Sequence, residues 1–204
     1  MSKMESKEWL QWICSTEDAD ALRRNYDQWA VTYENDVSDV WKPAPIAAAS
    51  MLSTHLADKQ GAILDVGAGT GLAGLALHAL GFRKITGIDI SSAMLDKAAS
   101  KNVYASLVCC SINDEAFGKL DKADGIIATG VFADNHAGKA ELEILAETIQ
   151  PGGIFVFTVR GSFLATIQDV LDQPEWRPID SRLMPIYEDP IHLLAYKIHG
   201  TKTS

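Results

Sequence analysis

Apolar residues recur along the chain in two rhythms, and the change from one to the other predicts its elements. Five short apolar runs have strand length: Ala62-Ile63-Leu64, Ile85 to Ile88, Ser106 to Cys110, Gly125 to Thr129 and Ile154 to Val159. Between them apolar positions repeat every three or four residues. One such helix starts at Pro43 and Pro45, with Ile46, Ala49, Leu52 and Leu56 as its stripe. The next runs from Leu72 to Leu80 and stops at Gly81. A third is capped by Ser91-Ser92 and turns Met94, Leu95 and Ala98 inward. A fourth carries Leu142, Leu145 and Ile149 and ends at Pro151-Gly152-Gly153; a fifth spans Phe163 to Leu171. Beyond a Pro-broken segment, 174–178, the runs Arg182 to Tyr187 and Ile191 to Ile198 read as a hairpin closed by Glu188-Asp189-Pro190.

Ahead of the first strand the pattern is helical. Trp9, Trp12 and Ile13 form one stripe, and a second helix starts near Glu17 and runs through Leu22 toward Trp29. Tyr26, Trp29, Ala30 and Tyr33 fall at i, i+3, i+4 and i+7, the spacing of a core stripe. No repeat and no dividing linker interrupts the 204 residues, so a single domain 1–204 is expected, with a helical cap over 1–45 and an α/β core over 46–204. The last five residues, 200–204, are polar and expected to fray.

The junction between first strand and second helix departs from plain packing. There the chain reads Asp65-Val66-Gly67-Ala68-Gly69-Thr70-Gly71-Leu72, an acid at a strand end followed by alternate glycines. Glycines allow positive φ and close approach of a ligand to the main chain, while the amides of the next helical turn face it. A second acid, Asp89, closes the next strand 24 positions later. The pattern predicts a nucleoside-binding half of a parallel sheet. Gly69-x-Gly71-x-x-Gly74 also fits a dinucleotide fingerprint, so a nicotinamide-dependent oxidoreductase is a rival. Asp65 argues against it: a carboxylate at the turn repels phosphates but attracts the ammonium and sulfonium of an S-adenosyl cofactor.

Composition narrows the classes further. With 47% hydrophobic and 22% charged residues the chain is an ordinary globular one. A formal charge of -9 argues against nucleic acid as the main partner. No signal peptide or apolar run of membrane length is present, so a cytoplasmic protein is expected. Cys14, Cys109 and Cys110 make neither a disulfide framework nor a metal pattern, and no metal is expected.

Asp65-x-Gly67-x-Gly69-x-Gly71 resembles the glycine motif of the class I S-adenosylmethionine-dependent methyltransferases. Tyr26-Asp27-x-Trp29-Ala30-x-x-Tyr33-Glu34, the run from Asp36 to Pro45, Thr129-Gly130-Val131-Phe132 and Gln150-Pro151-Gly152-Gly153 resemble the methyltransferase-like protein 27 group. The resemblance implies a Rossmann-like seven-stranded sheet, mostly parallel with an antiparallel last strand and helices on both faces. It implies a methyltransferase binding S-adenosylmethionine, with a small molecule or an unidentified acceptor as substrate. Its cofactor residues would be Tyr26, Tyr33, Asp65, Gly67, Ala68, Gly69, Gly71, Leu72, Asp89, Ile90, Met94, Ser111, Ile112, Thr129 and Gly130. Tyr26 and Tyr33 would belong to a lid over the methionine end. Ser111 stands where the family often places the acid that holds the adenine amino group. The amide and adenine N-methyltransferase motif Asn/Asp-Pro-Pro-Tyr is absent after the fourth strand. His136, in the loop beyond it, is the candidate base, Tyr33 a second catalytic candidate, and Arg160 a group able to face an anionic substrate. His55 reads as a helix C-terminal residue. A binding module that keeps the pocket without catalysis is the third reading.

Overall fold

The computed structural model describes residues 18–37, 41–134 and 136–199. The expected helix around Trp9 and Trp12, Cys14, Asn135 and the 200–204 tail lie outside them. A seven-stranded sheet forms the centre, in the order β3-β2-β1-β4-β5-β7-β6. Its strands are β1 (Ile63–Val66), β2 (Ile85–Asp89), β3 (Ser106–Cys109), β4 (Ala123–Phe132), β5 (Ile149–Arg160), β6 (Trp176–Met184) and β7 (Ile191–Ile198). The first five are mutually parallel, and β7 runs antiparallel to both β5 and β6. Strand order reverses between β1 and β4, where open α/β sheets place ligands.

The helices are α1 (Ala19–Trp29), α2 (Tyr33–Asp36), α3 (Pro43–His55), α4 (Leu72–Ala79), α5 (Ser92–Ala99), α6 (Lys139–Thr148) and α7 (Gly161–Leu171). Burying both faces of the sheet requires helices on each side, which explains the near-continuous apolar strands. One core packs Ile126, Phe155, Phe157 and Trp176 with Leu142 and Leu145 of α6 and Ile167 of α7. The opposite core packs Ile63, Ile85, Ile127 and Val156 with Ala48 and Leu52 of α3 and Leu77 of α4. A third cluster joins Leu22, Trp29 and Val37 of the cap to Met94 of α5.

Three expectations are corrected. The strand expected over Arg182 to Tyr187 is instead β6, Trp176–Met184, and it passes through Pro178. Proline is tolerated there because β6 is an edge strand with a register irregularity between Pro178 and Asp180. Ile149, expected on the helix, begins β5, which runs on through Pro151 and two glycines. Ile46, expected in the buried stripe of α3, is 57% exposed; small Ala44, Ala48 and Ala49 take the inner face and let the helix approach the sheet closely.

Candidate active site

A cavity of about 530 Å³ lies over the C-terminal ends of β1, β2, β4 and β5, roofed by α1, α2 and Trp41. Gly67, Gly69, Asp89, Ile90, Met94, Ser111, Ile112, Thr129, Gly130, Tyr26, Tyr33 and His136 all line it. Gly67 (φ 64) and Gly69 (φ 55) adopt the left-handed conformation that a glycine takes without strain. A Cβ at Gly67 would stand 2.5 Å from Val131 Cγ2, whereas at Gly69 the nearest atom is 3.9 Å away. Gly69 thus leaves its main chain open to the cavity.

Asp89 is fixed at the end of β2 by two amides. Gly69 N donates to Oδ2 at 2.8 Å and Ser91 N donates to Oδ1 at 2.9 Å. Burial pushes its pKa up to about 6, against the pull of these hydrogen bonds. Each oxygen keeps a lone pair for a further donor. Below it Ser91 caps α5 by accepting from Met94 N, and Ser91 Oγ donates to Asp27 of α1 at 2.6 Å, tying the cap to the site.

Asp65 does not line the cavity, so the reasoning that set its carboxylate beside the ligand is corrected. Its side chain is 1% exposed, and Tyr104 donates a 2.6 Å hydrogen bond to its Oδ2. Burial pushes its pKa up to about 7, and the Tyr104 bond only partly offsets that rise. The Tyr104 ring reaches Asp65 across glycines: a Cβ at Gly74 would fall on the ring, and one at Gly87 would lie 2.8 Å from it. Gly71, Ala68 and Leu72 also lie outside the main cavity. Gly71 packs against Ala98 and Tyr104, while Ala68 and Leu72 line a minor recess of about 30 Å³ beside it. Tyr104 went unnoticed in the sequence, although a glycine inside a helix and another inside a strand signal a close neighbour.

At the far rim Ser111 donates its amide to Asp114 at 2.7 Å, and its Oγ accepts from Asn113 N at 3.3 Å. The acid of this turn, Asp114, is absent from the lining, and a carboxylate arrives from elsewhere. Glu141 of α6 lines the cavity and accepts from Asn113 Nδ2 and from Gly138 N, both at 2.8 Å. Burial opposes its charge, yet these bonds hold its pKa below the usual range. The spacing to Glu141 gave no hint of this, because the contact spans 28 residues.

His136 and Tyr26 meet across the mouth, with Tyr26 Oη 3.3 Å from Nε2. His136 Nδ1 lies 3.0 Å from the Asp134 carbonyl, which only accepts, so Nδ1 carries the proton. Nε2 is then the acceptor of a neutral ring, and burial lowers the pKa to keep it neutral. Tyr33 packs edge-on to Trp29, 4.7 Å between centroids, and burial followed by Asp89 raises its pKa. That leaves Tyr33 a neutral hydroxyl. Strand β4 breaks register between Ala128 and Phe132, and Gly130 N donates to Thr158 Oγ1 at 2.8 Å, opening the strand end toward the cavity. His55 lies elsewhere, 2.9 Å from Asp180, joining α3 to β6.

Strand order, glycine turn and cavity are those of a Rossmann-like fold, and residues 63–153 match the family described as "Methyltransferase domain". More particularly, the chain resembles methyltransferase-like protein 27 of Homo sapiens, 32% identical over 138 residues, covering 66% of this chain and 56% of that protein. It is also 28% identical over 144 residues to malonyl-[acyl-carrier protein] O-methyltransferase of Priestia megaterium, covering 69% of this chain and 52% of that one. The chain therefore spans about half the length of these curated relatives. In fold it is similar to Burkholderia thailandensis 1,6-didemethyltoxoflavin-N1-methyltransferase, solved with that molecule and S-adenosylhomocysteine: TM-score 0.65, 17% identity, covering 89% of each chain. No helix among the described residues is long and apolar enough to cross a membrane.

Proposed function

We propose that this chain is an S-adenosylmethionine-dependent methyltransferase acting on a small molecule by in-line methyl transfer. The observation that carries the reading is the pairing of Gly69 and Asp89: an open main-chain platform beside a carboxylate already anchored by two amides. The donor set suits an adenosine. Asp89 has lone pairs for the two ribose hydroxyls, Ile90, Met94 and Ile112 offer apolar walls to the base, and Tyr26 and Tyr33 cover the other end. For the adenine amino group we assign Asn113 and Glu141 in place of Ser111. Asn113 Nδ2 donates to Glu141, and its Oδ1 is the acceptor that the amino group would use.

S-adenosylmethionine supplies an activated methyl group and a good leaving group when bound. The chain's own work is alignment and exclusion of water. Neutral His136, with Nε2 beside Tyr26 Oη, would take a proton from an acceptor that carries one at its nucleophile. Residues Tyr26 to Asp36 would act as a lid, closed here by Asp27 on Ser91 and Ala93, and by Glu34 on Lys101 at 2.5 Å. A small acceptor accords with a structural neighbour holding 1,6-didemethyltoxoflavin.

The test is thermal unfolding with S-adenosylmethionine, S-adenosylhomocysteine or NAD, since a ligand of the native state raises Tm. The two S-adenosyl compounds should raise it and NAD should not; the reverse result overturns the reading.

A further inference from the structure

The cavity is longer than the part assigned to the adenosine. Asp89 stands at the end of β2, and Arg160 at the end of β5. Three strand spacings separate β2 from β5, roughly 14 Å. Both residues line the same cavity, so Arg160 belongs to its opposite end. There the guanidinium lies 5.2 Å from the centre of the Tyr187 ring, with Ile191 of β7 also in the wall. Stacking on an aromatic face holds a guanidinium's plane while its N–H edge stays available.

Arg160 is the one residue with a fixed positive charge among the described lining residues. Among the described residues it also makes no ion pair within 4 Å. The nearby Asp189 feels its charge from beyond 4 Å, while its two oxygens accept from Ser162, from Oγ at 2.6 Å and from N at 3.1 Å. A half-buried guanidinium without an ion pair at the cavity wall, in a chain of net charge -9, offers an anion a docking point.

We infer that the methyl acceptor is a small anion whose carboxylate or phosphate group is held by Arg160 against Tyr187, at the end of the cavity away from Asp89. This rests on the methyltransferase reading and adds the substrate class. The anion is a handle for binding: in-line transfer leaves Arg160 itself chemically unchanged. A carboxylate that is itself the nucleophile would need no base. An amine or hydroxyl elsewhere on the same anion would pass its proton toward His136.

The experiment uses the full chain, methyl-labelled S-adenosylmethionine and a filtered cell extract split by anion exchange into retained and unretained small molecules. Label should enter the retained fraction. Phosphatase treatment beforehand abolishes acceptance by a phosphate and spares a carboxylate. With the accepting fraction as substrate, Arg160→Gln should raise KM about tenfold or more, Arg160→Lys should recover part of that loss, and the Kd for S-adenosylhomocysteine should stay as in the wild type.

Label in the unretained fraction alone, or an Arg160→Gln enzyme with unchanged KM, overturns the anionic acceptor and leaves the methyltransferase reading standing. An Arg160→Gln variant that binds S-adenosylhomocysteine about tenfold more weakly also overturns it, because Arg160 would then hold the carboxylate of the cofactor. Failure of the wild type to bind S-adenosylhomocysteine, or label in no fraction, overturns the methyltransferase reading and this inference with it.

Discussion

Two acids close neighbouring parallel strands, each beside glycines, and their surroundings have opposite characters. Asp89 faces the cavity with two amides fixing it and lone pairs to spare. Asp65 is sealed beneath the turn against the Tyr104 hydroxyl, with Gly74 and Gly87 making room for that ring. Register accounts for the difference. Asp65 pairs with Gly87, two positions before Asp89, so Asp89 stands about 7 Å nearer the C-terminal edge of the sheet. At that depth α4 and Tyr104 cover a side chain, whereas at the edge the glycine turn leaves it open. The glycines divide the same way: Gly67 and Gly69 line the cavity, while Gly71 and Gly74 admit Tyr104. One motif therefore builds both the open floor of the cavity and the buried plug beneath it.

The largest expected effect is a pH dependence of stability arising mainly from the plug. The folded pKa values of about 7 for Asp65 and about 6 for Asp89 lie above the ordinary carboxylate value. The native state then binds more protons than the unfolded state between those limits. Stability of the ligand-free protein should fall as pH rises from about 4 to about 7, by an amount on the order of several kcal/mol. Urea unfolding at a series of pH values should show this descent, and Asp65→Asn should flatten most of it. A variant with the wild-type slope would mean that Asp65 ionises freely and is no buried plug.

At the open acid the effect should appear in binding instead. Asp89→Ala is expected to weaken S-adenosylhomocysteine binding by about 2–4 kcal/mol, as for loss of a charge-assisted bond in a desolvated site. Calorimetric titration measures it, with circular dichroism to establish folding. An unchanged Kd in the folded variant removes Asp89 from the ligand.

Glycine substitutions sharpen the comparison. Gly74→Ala drives a methyl into the Tyr104 ring and should cost about 1–3 kcal/mol of stability. Its surviving folded fraction should bind S-adenosylhomocysteine with near wild-type affinity. Gly69→Ala meets no protein atom closer than 3.9 Å, so its fold should lose only about 1 kcal/mol for the left-handed conformation, while ligand binding suffers. Equal losses of stability and binding in both variants would erase the division between plug and platform.

The smallest effect concerns the roof. Trp29 is buried and donates from Nε1 to Asp36 at 3.0 Å. Amide exchange over residues 20–37 should slow when S-adenosylhomocysteine binds, if the segment opens in its absence. Equal slow exchange with and without ligand would make the Tyr26–Tyr33 stripe permanent core.

The sequence alone determined the alternation of strands and helices, the glycine turn and the two strand-end acids, because these follow from local periodicity and from backbone freedom at glycine. It also determined that Tyr26, Tyr33, Asp89, Gly130 and His136 were worth placing together. Tertiary structure decided what each does within the fold. Strand register buried Asp65 and exposed Asp89; packing across β2 brought Tyr104 onto Gly74; and the return of α6 set Glu141 beside Asn113 at the rim where Ser111 was expected to act. Edge position let β6 run through Pro178, which read as a break in a linear pattern. Depth in a sheet, contact between distant segments and the edge or centre place of a strand are properties of the assembled chain. No window of neighbouring residues carries them, because each depends on a partner tens of residues away.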